Sequence, residues 1–349
     1  MLGLLAIRAV GVLVLAWTVH TSGSVQPHPL TAWDSGWYAG IARNGYGHVT
    51  RPPDGRSLSD YAFFPALPLL ERLLPFAPAH AGLVVSWVST AVAGLGIHAV
   101  VDDWRGRRAA GLTVLLWAVL PVSVVLSMAY TEALFTASAA WALWCCLRGR
   151  WWTASALAVL AGLTRPTGAA VVLAVMVAAA LACRRGDRSA AGAVLTAPLG
   201  LLGYLGYVGV RTGDPFGYFT VTRDWGNGID LGRALVAWTW DRLATPPHLA
   251  GILILLGVLA LAALVVALAR LRAPLPVLVF TFAMLALTLV TSGYFGSRPR
   301  YLLPAFPILV PLALWLDAHG PWPRRCLLSA AAIGSFAYGA WWLTGTGPP

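Results

Sequence analysis

The chain has 349 residues, 58% hydrophobic and 11% charged, with a formal net charge of +11 and no lysine among its 24 basic residues. A soluble domain carries roughly 25% charged residues, so the composition excludes a soluble globular protein. The arginines cluster at the ends of apolar runs rather than on one soluble face, which excludes nucleic acid as partner and favours anionic membrane lipid.

Apolar runs near the roughly 20 residues that cross a bilayer recur along the whole length and do not alternate as barrel strands do. The fold class they predict is an all-α polytopic membrane protein, one integral membrane domain over residues 1–349 with about eleven transmembrane helices. In order the spans are Leu2–His20, Ala81–Val101, Ala109–Met128, Ala133–Leu147, Trp151–Leu163 and Ala169–Cys183. Then follow Ala190–Val210, Leu249–Ala269, Pro274–Tyr294, Tyr301–Leu316 and Cys326–Leu343. The first run has a poor basic flank, Arg8 inside it and no A-x-A site after it, so it is expected to be a retained helix rather than a signal peptide.

Five short loops hold twelve arginines: Arg105, Arg107 and Arg108; Arg148 and Arg150; Arg184, Arg185 and Arg188; Arg270 and Arg272; Arg324 and Arg325. Arginine in short loops marks the cytoplasmic side. The other side then carries two long loops, residues 21–80 and 211–248, and most of the 13 acidic residues, so the chemistry is expected there.

The first of those loops holds Trp33-Asp34-Ser35-Gly36-Trp37-Tyr38, with Ile41 and Arg43 after it. Asp34, Tyr38 and Ile41 share a face at helical spacing, which predicts a short interfacial helix. Thr31-Ala32-Trp33-Asp34 also fits a capping box, so Asp34 is either a helix cap or a working acid between tryptophans at the bilayer edge. Phe63-Phe64-Pro65-Ala66-Leu67-Pro68 is too short and proline-rich to span, and reads as a second interfacial or re-entrant piece.

Further along, Tyr130-Thr131-Glu132 joins two spans. Glu132 suits the first turn of a helix, or faces Asp34 across a cavity as a second carboxylate. The spans on either side of Trp151 are short, about 20 to 23 Å at 1.5 Å per residue against a hydrocarbon core of about 30 Å. Glu132 and Arg165 are therefore expected partway into the membrane, unless the helices continue through them. Arg165, Arg298 and Arg300 stand in outer turns against the charge trend, and together they predict a phosphate clamp, because a guanidinium gives two parallel hydrogen bonds. The loop 211–248 adds Gly213-Asp214-Pro215-Phe216 and five aromatics, either stacking surfaces for an acceptor or a packed lid. Cys145, Cys146, Cys183 and Cys326 show no C-x-x-C spacing and predict neither disulfide nor metal site. No nucleotide-binding loop, zinc-protease motif or nucleophile elbow occurs, so a sugar donor would be lipid-linked.

These motifs carry a resemblance. Trp33-Asp34-Ser35-x-Trp37-Tyr38, Phe63-Phe64-Pro65, Tyr130-Thr131-Glu132-Ala133-Leu134-Phe135, Arg165-Pro166-Thr167-Gly168, Gly213-Asp214-Pro215 and Arg300-Tyr301-Leu302-Leu303-Pro304 occur in this order over nearly the whole chain. In this the chain resembles the PIG-V-type mannosyltransferases, the GPI mannosyltransferase 2-like family, and its bacterial members in particular. The resemblance implies a GT-C glycosyltransferase fold, a polyprenyl-phosphate-mannose donor, and inverting transfer to a lipid or glycan acceptor. It implies an active site on the extracytoplasmic side of a bacterial plasma membrane, with Asp34 as the catalytic general base. Trp33, Trp37, Tyr38, Arg43, Phe64, Tyr130, Glu132, Arg165, Asp214, Arg298, Arg300 and Tyr301 are the candidate substrate-binding residues, and no cofactor is expected. Two alternatives stay open: a transferase of another polyprenyl-phosphate sugar, and a lipid-linked sugar flippase using the same arginines.

Overall fold

The structure, a computed structural model, describes residues 1–22, 28–293 and 295–345. Residues 23–27 of the first long loop and Tyr294, the expected end of the ninth span, lie outside the described residues.

The first long helix, α1 (Leu2–Ser22), leads into two short ones, α2 (Asp34–Asn44) and α3 (Ala66–Leu73). The bundle continues with α4 (Pro78–Arg105), α5 (Arg107–Ala118), α6 (Glu132–Leu147), α7 (Trp151–Gly162) and α8 (Gly168–Arg184). After these come α9 (Ala191–Thr196), α10 (Leu199–Thr212), α11 (Gly217–Asp224), α12 (Arg233–Ala244) and α13 (Leu249–Arg270). The chain closes with α14 (Leu275–Leu289), α15 (Arg298–Tyr301), α16 (Val310–Ala318) and α17 (Pro321–Leu343). Each expected apolar segment holds a helix or a helix pair. Among the described residues, five helices are long and apolar enough to cross a membrane, or six spans if one bent pair counts as a span.

That bent pair corrects the expected continuous span Ala109–Met128. Its two helices, α5 and the 3₁₀ segment Pro121–Ser127, meet at 85°. Proline excludes helical backbone from the residue before it, and Leu120 accordingly sits at φ −57°, ψ 141°. The break frees carbonyl groups, which side chains satisfy. Ala118 O accepts from Arg8 Nη2 at 2.7 Å and from Ser123 Oγ at 2.8 Å, and Leu120 O accepts from Ser335 Oγ at 2.8 Å. This explains why α1 carries a buried arginine: a cation answers the negative end of α5. Thr90 Oγ1 and Ser86 Oγ of α4 donate to Leu126 O and Tyr130 O, each at 3.0 Å, and hang the 3₁₀ segment on the longest helix. The expected span from Tyr301 also starts late, because Leu302–Pro304 form a turn before α16.

Small residues set the closest approaches. A Cβ at Gly168 would lie 2.5 Å from Ala161 O and 2.7 Å from Gly162 Cα, so the α7–α8 turn closes only on glycine. Helix α7 ends at Gly162 and does not run on through Arg165, whereas α6 begins on Glu132 itself. Helix α13 is apolar and almost wholly exposed, as a lipid-facing helix is.

A short hairpin departs from the helical pattern. Val49–Thr50 (β1) pairs antiparallel with Leu58–Ser59 (β2), around a turn through Pro52 and Gly55. The buried Asp60 carboxylate fixes this hairpin by accepting from the N–H groups of Gly47 and His48 at 2.9 to 3.1 Å. All four cysteines are free; Cys145 and Cys146 are buried and Cys326 is exposed.

Candidate active site

Asp34 opens α2, and its backbone entry is unusual. Trp33 sits at φ 53°, ψ −116°, a conformation that costs a non-glycine residue about 1–3 kcal/mol. The capping alternative is not realised. No side chain caps α2, and Thr31 Oγ1 donates instead to His28 O at 3.3 Å. The Asp34 carboxylate is turned to Arg300, whose Nη2 donates to Oδ2 at 2.8 Å, while the Asp34 N–H donates to the Tyr130 hydroxyl at 3.3 Å.

From Arg300 the charges alternate. Its Nε lies 3.8 Å from Glu132 Oε1, and the same oxygen lies 3.0 Å from Arg165 Nη1. Two carboxylates and two guanidinium groups, from α2, α6, the α7–α8 turn and α15, thus form one row. The side chains of Glu132 and Arg300 are 2% and 7% exposed, and that of Asp34 is 25% exposed, so Asp34 is the end of the row that solvent or substrate reaches. Burial opposes the charge on Arg300. Asp34, followed by Tyr301, Glu132 and Tyr130, outweighs it and holds the guanidinium firmly protonated.

Aromatic rings wall the row. Arg300 lies over the rings of Tyr130 and Tyr301 at 5.1 and 5.2 Å, and Arg165 lies over Tyr301 at 5.1 Å and Phe135 at 5.9 Å. Tyr301 therefore faces both guanidinium groups. The buried Tyr38 phenol pairs with Thr131, and burial, with Asp34 next, pushes its pKa well up. Polar valences are left over. Glu132 Oε2, Arg165 Nη1 and Arg300 Nε are buried without a hydrogen-bond partner, although Arg165 Nη1 sits at ion-pair distance from Glu132. A buried cluster with spare donors and acceptors is arranged for a polar ligand.

Several expected members lie elsewhere. Of the three arginines expected together, Arg298 stands outside the row, its Nη2 donating to Thr291 O at 2.7 Å. Arg298 and Arg300 are two residues apart on one helical turn, and such neighbours do not share a face. Arg43 is exposed, and its charge acts on Glu71 rather than Asp34; nine residues along a helix put it about 13 Å away on the opposite side. Asp214 serves its own turn, accepting from Phe216 N at 2.9 Å and Thr220 Oγ1 at 3.2 Å. Phe64 is core, packed on Tyr204 and Tyr218 with centroids at 4.4 and 5.5 Å. Trp37 stacks on Phe63 at 5.5 Å and meets Trp225 edge-on at 5.1 Å, while Trp225 Nε1 donates to Ser59 O at 3.0 Å. In the loop 211–248, Trp225 behaves as a packed clasp between the two long loops.

Sequence reasoning missed the Thr131 hydroxyl as a partner of Tyr38, and it missed Glu71. That carboxyl is buried against Gly82 with neither oxygen hydrogen-bonded. The available signal was an acid on the apolar face of an eight-residue helix. Among the described residues no three of His, Cys, Asp and Glu gather as a metal set.

Neither a protein-family model nor a curated protein matches the chain. Solved structures do. ArnT from Cupriavidus metallidurans bound to undecaprenyl phosphate aligns with a TM-score of 0.55 and 18% identity, covering 89% of this chain and 59% of that one. Its apo state aligns at 0.51. The archaeal oligosaccharyltransferase AglB from Archaeoglobus fulgidus, in complex with an inhibitory peptide and a dolichol-phosphate, aligns at 0.51 with 13% identity, covering 99% of this chain and 56% of that one. The chain thus spans somewhat over half the length of these proteins, and the fold it shares with them is the GT-C fold.

Proposed function

We propose that the chain is a membrane glycosyltransferase that moves a sugar from a polyprenyl-phosphate donor to a lipid or glycan acceptor. The observation that carries this reading is the row Asp34–Arg300–Glu132–Arg165, with its acid end open and its arginine end buried. Two of the neighbours whose fold it shares were solved with polyprenyl phosphates, one undecaprenyl and one dolichol. The arginine-rich loops all lie at the opposite end of the helices from Asp34, which supports an extracytoplasmic site.

In this reading Asp34 takes the proton of the acceptor hydroxyl as that oxygen attacks the anomeric carbon. The bond from that carbon to the phosphate oxygen breaks, and polyprenyl phosphate leaves with the electron pair. Arg165 and Arg300 offset the growing phosphate charge with their fixed positive charges. Glu132 keeps both guanidinium groups in place before the donor arrives. Direct attack by the acceptor inverts the anomeric centre. Resemblance to PIG-V-type enzymes makes mannose the sugar.

The test is transfer in liposomes holding the purified protein and total membrane lipid, supplied in turn with polyprenyl-phosphate-mannose, -glucose and -arabinose, and followed by mass analysis. The expected result is a mannosylated product with released polyprenyl phosphate. Product from another donor alone changes the sugar. Donor crossing the bilayer with no covalent product replaces the enzyme by a flippase.

A further inference from the structure

A cavity of about 950 Å³ lies at the other end of the bundle from Asp34, between the start of α1, the last third of α4, the start of α5 and the α16–α17 turn. It exists because side chains are missing there: a Cβ at Gly111 or Gly320, both on its wall, would meet no atom within 4 Å. The wall is mixed: Arg107, Arg108, Arg324, His98 and Asp317 bring polar groups to it, and Leu4, Leu95 and Leu115 bring apolar ones. Asp317 answers Arg324 at 3.6 Å. Among the described residues neither Arg107 nor Arg108 forms an ion pair, so two charges are unanswered.

The depth has a scale. From Gly94 to Arg105 the axis of α4 rises about 16 Å, and half of a hydrocarbon core of about 30 Å is one leaflet. The cavity therefore runs from the level of the arginines down α4 as far as Gly94, where Met1 and Leu4 also border it.

We propose that this cavity holds one anionic phospholipid of the cytoplasmic leaflet, its phosphate against Arg107 and Arg108 and its acyl chain between α1, α4 and α5. A free phosphate leaves the leucines of the wall without an apolar partner, and a zwitterionic headgroup brings its own cation with its phosphate and so adds no net negative charge against the arginines. The lipid acts as a wedge: α1 is mostly exposed, and its N-terminal end borders this gap. The proposal is independent of the transfer reaction and uses only the orientation set by the arginine loops.

The experiment titrates the delipidated full chain in detergent with phosphatidylglycerol, phosphatidylcholine and inorganic phosphate, reading melting temperature and the lipid retained in native mass spectrometry. Phosphatidylglycerol is expected to raise the melting temperature and stay bound at one copy, and the other two are expected to do neither. Removing two arginines in R107Q/R108Q is expected to weaken binding about 30-fold, at roughly five-fold for each basic residue at a membrane surface. Gly111→Leu keeps every arginine, fills the cavity with a residue that helices favour, and is expected to abolish the retained copy while the lipid-free protein melts no lower. A full phosphatidylglycerol response in Gly111→Leu, an equal response to phosphatidylcholine, or reproduction of the shift by inorganic phosphate alone overturns the proposal.

Discussion

Arg300 reaches Asp34 across 266 residues of chain, Nη2 to Oδ2 at 2.8 Å, while its Nε faces Glu132 at 3.8 Å. One guanidinium thus ties the first long loop to the start of α6. It does so through two different nitrogens held in one rigid plane, which a lysine ammonium cannot imitate.

Asp34→Asn is expected to cut transfer 10²–10⁴-fold, the usual contribution of a general base. The amide still accepts from Arg300, so the melting temperature is expected to stay close to that of the parent. An active Asp34→Asn protein in the liposome assay removes the base assignment.

Arg300→Lys is expected to lose transfer as well, through weaker donor binding. Donor titration is the check, since the acceptor dependence is expected to change little. Comparable losses for both substrates would mean that Arg300 shapes the whole site rather than meeting the phosphate.

Glu132 answers two buried cations, so Glu132→Ala leaves Arg165 uncompensated and Arg300 with Asp34 alone. Breaking a buried pair from one side costs about 3–5 kcal/mol. The double variant with Arg165→Ala is expected to be less destabilised than the sum of the singles, and a double-mutant cycle in thermal unfolding reads the difference.

Glu71 gives a pH signature. Burial raises its pKa to about 8, partly offset by Arg43. The folded state holds this proton more tightly than the unfolded chain, so stability is greatest below the ordinary carboxylate pKa and falls as pH rises to about 8. Glu71→Gln carries no charge to bury and is expected to remove that slope, melting several degrees above the parent at pH 9 and near it at pH 4. Parallel pH profiles for the two proteins would show that Glu71 is charged in the fold.

Gly168→Ala is expected to lower both stability and donor affinity, because its Cβ meets backbone and the turn that aims Arg165 must open. Gly36→Ala on α2 meets nothing within 4 Å and is expected to gain about 0.5–1 kcal/mol from the helix preference for alanine. Unfolding curves for the pair separate a required glycine from a tolerated one.

The apolar segments were legible because each is a run of side chains that water rejects, whatever packs against it. Asp34 stood out for its neighbours and its rarity. Direction was harder to read. Arg298 and Arg300 look alike in sequence, yet one turn of helix sends them to different partners. Gly-Asp-Pro is also a turn signal, and Asp214 holds its own turn through Phe216 N. The bend before Pro121 was readable from the proline itself, but not the side chains that make it affordable, since Arg8 lies 110 residues from the carbonyl it answers.

The Arg8 contact also constrains how the protein is assembled. A guanidinium inside hydrocarbon needs an acceptor, and the one it finds is created only when the third apolar segment has broken its ladder. Helix α1 therefore enters the bilayer first in sequence but locks into register only after α5 has emerged and kinked. During synthesis the N-terminal segment must wait as a loosely held guest, and a truncation ending before Ala118 is expected to leave it exposed to membrane proteases.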